Sequence, residues 1–224
     1  MNLTIDSGKP KRLLTGGKYC PEDVVVTAVG GSDNNEIENS LLARTITEYV
    51  NHEVTVIGDG TFNRCSNLTK LSCHNVQQVK WSACQYCSGL TDIDLPSATY
   101  IGINSFSSCH ELTELVLPVA ETIDGSAFGD CRSLVKVDLP NAKTINGMVF
   151  RLNREMKVLI LRRTDTVCTL SNTNSFESTP FAADGTGSGG ILVVPEILME
   201  AYRNATNWSV LNCEVVKLEG SEYE

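Results

Sequence analysis

Apolar positions recur along the chain every 22 residues, as from Phe106 to Phe128 and on to Phe150. Phe62 lies on the same grid, and Cys84 fills the remaining slot of that column. Cys65, Cys87, Cys109, Cys131 and Asn153 form a second column, and Leu68, Leu90, Leu112, Leu134 and Met156 a third. Leu71, Ile93, Leu115, Val137 and Leu159 come next, then Cys73, Leu95, Leu117, Leu139 and Leu161. Val76, Ala98, Ala120 and Ala142 follow, and Val79, Ile101, Ile123 and Ile145 close each unit. A fixed period of this length with leucine-like columns marks a solenoid, whose core is a stripe added to by each coil.

The rhythm changes inside each unit. From Phe106 to Cys109 to Leu112 the spacing is three, which predicts a short helical turn. From Leu115 to Leu117 it is two, the rhythm of a strand with one face buried. Pro96, Pro118 and Pro140 then end the strand, since proline has no N–H to give a ladder. Extending the grid backwards gives Ser40, Ala43, Ile46, Tyr49, Val54 and Ile57, mostly apolar, so residues 36–57 read as a degenerate first coil. The solenoid is therefore expected over residues 36–161.

Residues 1–35 stand apart as an N-terminal extension and linker. Arg12–Tyr19 and Val24–Thr27 read as two strands, marginal by themselves unless docked on the solenoid or a neighbour, and Gly30–Asn35 as a polar linker. The grid fails after Leu161, and residues 162–224 are expected to form a C-terminal cap. Within it Ile191–Val194 reads as a strand and residues 195–206 as an amphipathic helix opened by Pro195.

The unit Ile-x4-Phe-x2-Cys-x2-Leu-x2-Leu-x-Leu-Pro, clearest from Ile101 to Pro118, resembles the BspA-like leucine-rich repeat of bacterial surface and phage-associated proteins. The resemblance implies an α/β fold: a right-handed leucine-rich-repeat solenoid of 22-residue coils, with short parallel strands on one face and short helical turns, capped at both ends. It implies binding, adhesion or assembly and brings no catalytic residues. The tail Val194-Pro195 through Ala201-Tyr202 to Trp208-Ser209 is similar to a C-terminal end found on such proteins in gut bacteria and their prophages. Leu14–Cys20 is similar to a leader of phage structural proteins. Cys73 and Cys84 depart from the repeat, where Leu and Phe are usual, and the second coil is expected to pack less tightly there.

Composition removes several classes of function. A net charge of −9 argues against nucleic acid and anionic membrane surfaces. No apolar run is long enough to span a membrane, and Met1–Asp6 lacks the layout of a secretory signal. The expected setting is cytoplasmic or virion-associated, with the cell surface as alternative. Four of the 9 cysteines (Cys65, Cys87, Cys109 and Cys131) share one core column, where packed thiols are expected and not a disulfide framework.

The chemistry-bearing residues read the same way. Cys84-Gln85-Tyr86-Cys87 has redox or zinc spacing, but the grid explains it as the repeat's Phe-x-x-Cys with one exchange. His52, His74 and His110 read as falling at different positions of the repeat, with no shared column, and are expected as surface or loop residues without a catalytic set. No cofactor, metal site or enzyme activity is expected. Alternation instead sends two rows outward from the strand face. One is Lys70, Asp92, Glu114, Lys136 and Val158, the other Ser72, Asp94, Val116, Asp138 and Ile160. Lys70, Ser72, Asp92, Asp94, Glu114, Val116, Lys136 and Asp138 are the candidate ligand-binding residues, for a protein or glycan partner. Outward Val116, Val158 and Ile160 call for a cover, either a partner or the C-terminal segment. The alternatives are a self-associating structural subunit and a thiol-redox protein using Cys84 and Cys87.

Overall fold

In the computed structural model of the protein the described residues are 25–27, 46–184 and 186–224. The predicted strand at residues 12–19, the linker at 30–35, and Ser40 and Ala43 lie outside them. Each 22-residue coil contributes one three-residue strand and, across the core, one two-residue strand, and two five-residue strands extend the first face at the C-terminal end. Along the first face run β1 (Val25–Thr27), β2 (Glu48–Val50), β4 (Lys70–Ser72), β6 (Asp92–Asp94), β8 (Glu114–Val116), β10 (Lys136–Asp138), β12 (Val158–Ile160), β14 (Gly190–Val194) and β15 (Cys213–Lys217). The second ladder holds β3 (Val56–Ile57), β5 (Gln78–Val79), β7 (Tyr100–Ile101), β9 (Thr122–Ile123), β11 (Thr144–Ile145) and β13 (Thr169–Leu170). Every pairing is parallel, and within the repeat each residue meets the one 22 positions on, as Lys70 meets Asp92.

The second ladder is one continuous 6-stranded sheet, whereas the first face divides into a 4-stranded sheet ending at β6 and a 5-stranded sheet beginning at β8. Asp92 and Glu114 hold equivalent positions on either side of this seam. Like charges on neighbouring strands oppose pairing. Val25–Thr27 pairs in parallel with Glu48–Val50, so this segment docks on the solenoid and extends its sheet; the other strand expected beside it, at residues 12–19, lies outside the described residues.

The three-residue spacing is made by single turns closed by bonds between residues three apart, which do not extend into a helix. Ser105 N–H donates to Gly102 O and Ser107 N–H to Asn104 O, but the intervening Phe106 N–H donates to Ala127 O of the next coil. Two residues per coil are left-handed and stop any helix from propagating. Gly60, Ser82, Asn104, Ser126 and Met148 form one such column, and Arg64, Tyr86, Ser108, Asp130 and Leu152 the other. The only α-helix among the described residues is α1 (Met199–Asn204), preceded by a 3-10 turn at Glu196–Leu198.

The core is a stack of like residues. Phe106 and Phe128 stack with centroids 5.3 Å apart, and Phe150 and Phe176 continue the column at 6.2 and 5.7 Å. Cys84 interrupts it, leaving Phe62 against Tyr49 at the other end. The cysteine column supplies hydrogen bonds as well as volume. Cys87 Sγ–H donates to Phe62 O, Cys109 Sγ–H to Cys84 O and Cys131 Sγ–H to Phe106 O. Asn153 Nδ2 repeats the contact on Phe128 O, and its Oδ1 accepts from Cys131 N–H. Phe62 O and Cys84 O also accept a backbone N–H, so there the thiol uses the carbonyl's second lone pair, and a weakly polar side chain fits the otherwise apolar stripe.

Coils continue past Leu161 with inserted residues. Thr169 pairs with Thr144, and Ile191 with Val158, on the same two ladders as before. Over the end of the aromatic column, Tyr202 and Trp208 pack edge to face at 5.5 Å. Cys168 N–H donates to Tyr202 Oη and Trp208 Nε1 donates to Cys168 O. Both rings are thereby pinned to one backbone position.

Candidate functional site on the strand face

Along β4, β6, β8 and β10 the apolar residues Leu71, Leu115 and Val137 point into the core, and their neighbours face outward. Lys70, Asp92, Glu114 and Lys136 form the first outward row. Lys70 Nζ lies 3.3 Å from Asp92 Oδ2, and both side chains stay largely in solvent. Val116 stands in the second row with 49% of its surface exposed.

Other members of the second row are held by their neighbours. Ser72 is buried and donates to Asp94 Oδ2 at 2.7 Å. The same oxygen meets His74 Nε2 at 2.7 Å. His74 stacks on His52 with centroids 3.8 Å apart, and its backbone N–H donates to His52 Nδ1. The two histidines lie one repeat apart, so the expectation that no histidines share a column is corrected: His52 and His74 occupy one grid column. His110 belongs to a similar arrangement, because Ser108 Oγ and His110 Nε2 both meet Asp130 Oδ2. Burial would push the Asp94 carboxyl up, but hydrogen bonds from Ser72 and His74 and the nearby imidazoles outweigh it and hold it below the ordinary range. Asp130 is lowered in the same way: bonds from Arg132 and His110 outweigh the effect of burial.

Asp138 is only 8% exposed. Arg162 grips it, Nε at 3.1 Å from both carboxylate oxygens and Nη2 at 2.8 Å from Oδ2. The outward apolar residues beyond it are covered: Val158, Ile160 and Val193 cluster with Ile191, Leu218 and Tyr223. The C-terminal segment is thus the cover for Val158 and Ile160, but it leaves Val116 bare.

Among the described residues the buried thiols have no nucleophilic setting. Cys84 and Cys87 are fully buried. Burial, reinforced by Cys87, pushes the Cys84 thiol well up, and burial pushes Cys65 and Cys73 up to about 12. A reactive thiol needs the opposite shift. Among the described residues no group of three or more His, Cys, Asp or Glu is placed to hold a metal ion. No helix among them is long and apolar enough to cross a membrane.

Sequence reasoning passed over Trp81. It is 58% exposed, and with Asp59, Gln78, Lys80, Tyr100 and Ile103 it lines a shallow groove of about 460 Å³ beside the second ladder. The available signal was a large aromatic at a grid position that faces away from the core.

Stacked parallel coils with a leucine-lined core define a leucine-rich-repeat solenoid, a fold typical of binding and scaffold modules. The chain belongs to the BspA type leucine rich repeat family, whose profile matches residues 35–157 in 6 copies. It is similar in fold to a leucine-rich repeat protein from Bacteroides ovatus ATCC 8483, with 20% identity and a TM-score of 0.53 over 77% of this chain. A leucine rich repeat protein from T. pallidum is 21% identical, with a TM-score of 0.50 over 77% of this chain and 74% of that one. The chain spans about half the length (49%) of the B. ovatus protein. A comparison with curated protein sequences finds no match.

Proposed function

We propose that the chain is a non-enzymatic binding module that holds a protein or glycan partner on the open part of its strand face. Lys70, Asp92, Asp94, Glu114, Val116 and Lys136 make the contacts. Ser72 and Asp138 are too buried for that and support the surface from below. The observation that carries this reading is selective covering. The tail shields Val158, Ile160 and Val193, while Val116 stays open between acidic neighbours. A partner with positive charge beside a small apolar group complements that surface. A bacterial surface or phage particle is the setting we propose, supported by the family and by the likeness of the tail at residues 194–209. Binding of the wild-type chain and an Asp92→Ala/Glu114→Ala/Val116→Ala variant to protein and glycan arrays tests the reading. Ligands lost by the variant at unchanged thermal stability support it, and identical binding removes it.

A further inference from the structure

We infer that the groove around Trp81 is a second binding site, separate from the strand face, and that its ligand is a neutral oligosaccharide or polysaccharide. The repeat provides an internal control for what the fold itself requires at this position. Asp59, Trp81, Ile103, Gly125 and Gly147 occupy equivalent places in successive coils. A position satisfied by aspartate, isoleucine or glycine has no structural need for an indole, yet Trp81 exposes 58% of its surface there. The chain's other tryptophan, Trp208, is buried and hydrogen-bonded within the C-terminal end.

The surroundings fit a sugar. An indole face offers a flat, electron-rich platform for the C–H bonds on one face of a pyranose ring, and its apolar body is stripped of water cheaply. Asp59, Gln78 and Lys80 line the same groove with a carboxylate, an amide and an ammonium group, the pattern needed to bond vicinal hydroxyls. Their charges offset, so neither an anionic nor a cationic ligand is favoured. Two members, Asp59 and Tyr100, are held in place beforehand. The Asp59 carboxylate accepts from the Trp81 backbone N–H at 3.0 Å, and Tyr100 Oη–H donates to Asp124 Oδ2 at 2.8 Å. Prior ordering lowers the entropic cost of binding.

Size decides between a sugar and a protein. The groove, about 460 Å³, lies within the range of small-ligand sites. A stable protein partner needs roughly 800 Å² on each side, and the apolar surface here is limited to the indole, the half-exposed Ile103 and the Tyr100 ring. An open, shallow groove lined by three successive coils suits a chain of sugar units lying across them.

The test uses the full-length chain and its Trp81→Ala and Trp81→Phe variants on an array of neutral glycans. Solution titration with any captured oligosaccharide follows. The wild type is expected to bind at least one neutral glycan, with a blue shift of its emission as Trp81 leaves water while Trp208 stays unchanged. Trp81→Ala is expected to weaken binding at least about tenfold and Trp81→Phe less, with the thermal midpoint retained, as glycine at the equivalent positions implies. No glycan bound at about 1 mM, equal binding by Trp81→Ala, or a Trp81-dependent protein ligand instead overturns the inference. An Asp92→Ala/Glu114→Ala/Val116→Ala variant should still bind the glycan, so this site and the strand face can fail independently.

Discussion

Arg162 grips Asp138 through both Nε and Nη2, and the same Nη2 donates to Tyr223 O at 2.8 Å. One guanidinium therefore marks the border between the open strand face and the part covered by the tail. The carboxylate is buried and the guanidinium half-buried, so removing either partner leaves a poorly solvated charge. Arg162→Ala is expected to destabilise the fold by about 2 kcal/mol, read by urea unfolding. It should also speed amide exchange at Leu218, whose N–H donates to Val194 O. Unchanged exchange there would show that the tail is held without this pair.

Asp94 and Asp130 give the fold a dependence on acid. Both carboxyls sit below their ordinary range in the folded protein. A group with a depressed folded pKa stabilises the fold above its unfolded value, about 4 for aspartate, and that contribution is lost as pH falls through the folded pKa. The thermal midpoint should therefore fall on acidification below about pH 4, and less so in Asp94→Asn/Asp130→Asn. Both groups are partly in solvent, so the effect is modest. Parallel pH profiles for the variant and the wild type would contradict this assignment.

The thiol column is expected to be inert. Alkylation of the folded chain, mapped by mass spectrometry, should leave Cys65, Cys84, Cys87, Cys109 and Cys131 unmodified until denaturant is added. Fast labelling of Cys84 or Cys87 would revive the redox reading.

Met148 carries a left-handed backbone with φ 62° and an exposed side chain. Its column elsewhere holds Gly60, Ser82, Asn104 and Ser126, residue types that suit that region better. Met148→Asn should raise stability by about 0.5–1 kcal/mol, measured by thermal and urea unfolding. A loss would mean that the side chain contributes a contact outweighing the strain.

The columns at Phe106, Leu115, Leu117 and Ile123 were legible because core positions tolerate only apolar side chains of similar size. The left-handed columns were not. Arg64, Tyr86, Ser108, Asp130 and Leu152 share a backbone conformation but no side-chain chemistry. The later coils were hidden for another reason: Ile191 pairs with Val158 and Thr169 with Thr144 across insertions that break the 22-residue count. On the strand face, the two outward rows followed from alternation alone. The burial of Ser72 and Asp138 did not, since it depends on Asp94 in the next coil and on Arg162 and a tail far along the chain.

The strand-face claim is tested most directly by comparing wild-type and Asp92→Ala/Glu114→Ala/Val116→Ala chains on the same protein and glycan arrays, alongside their melting curves. These three side chains are exposed, and Glu114→Ala relieves the like charge across the seam, so stability should hold or rise slightly. The account expects ligands of the wild type, other than those that depend on Trp81, to weaken at least tenfold, the effect of losing about 1.4 kcal/mol. Full retention of those ligands by a normally folded variant would contradict it.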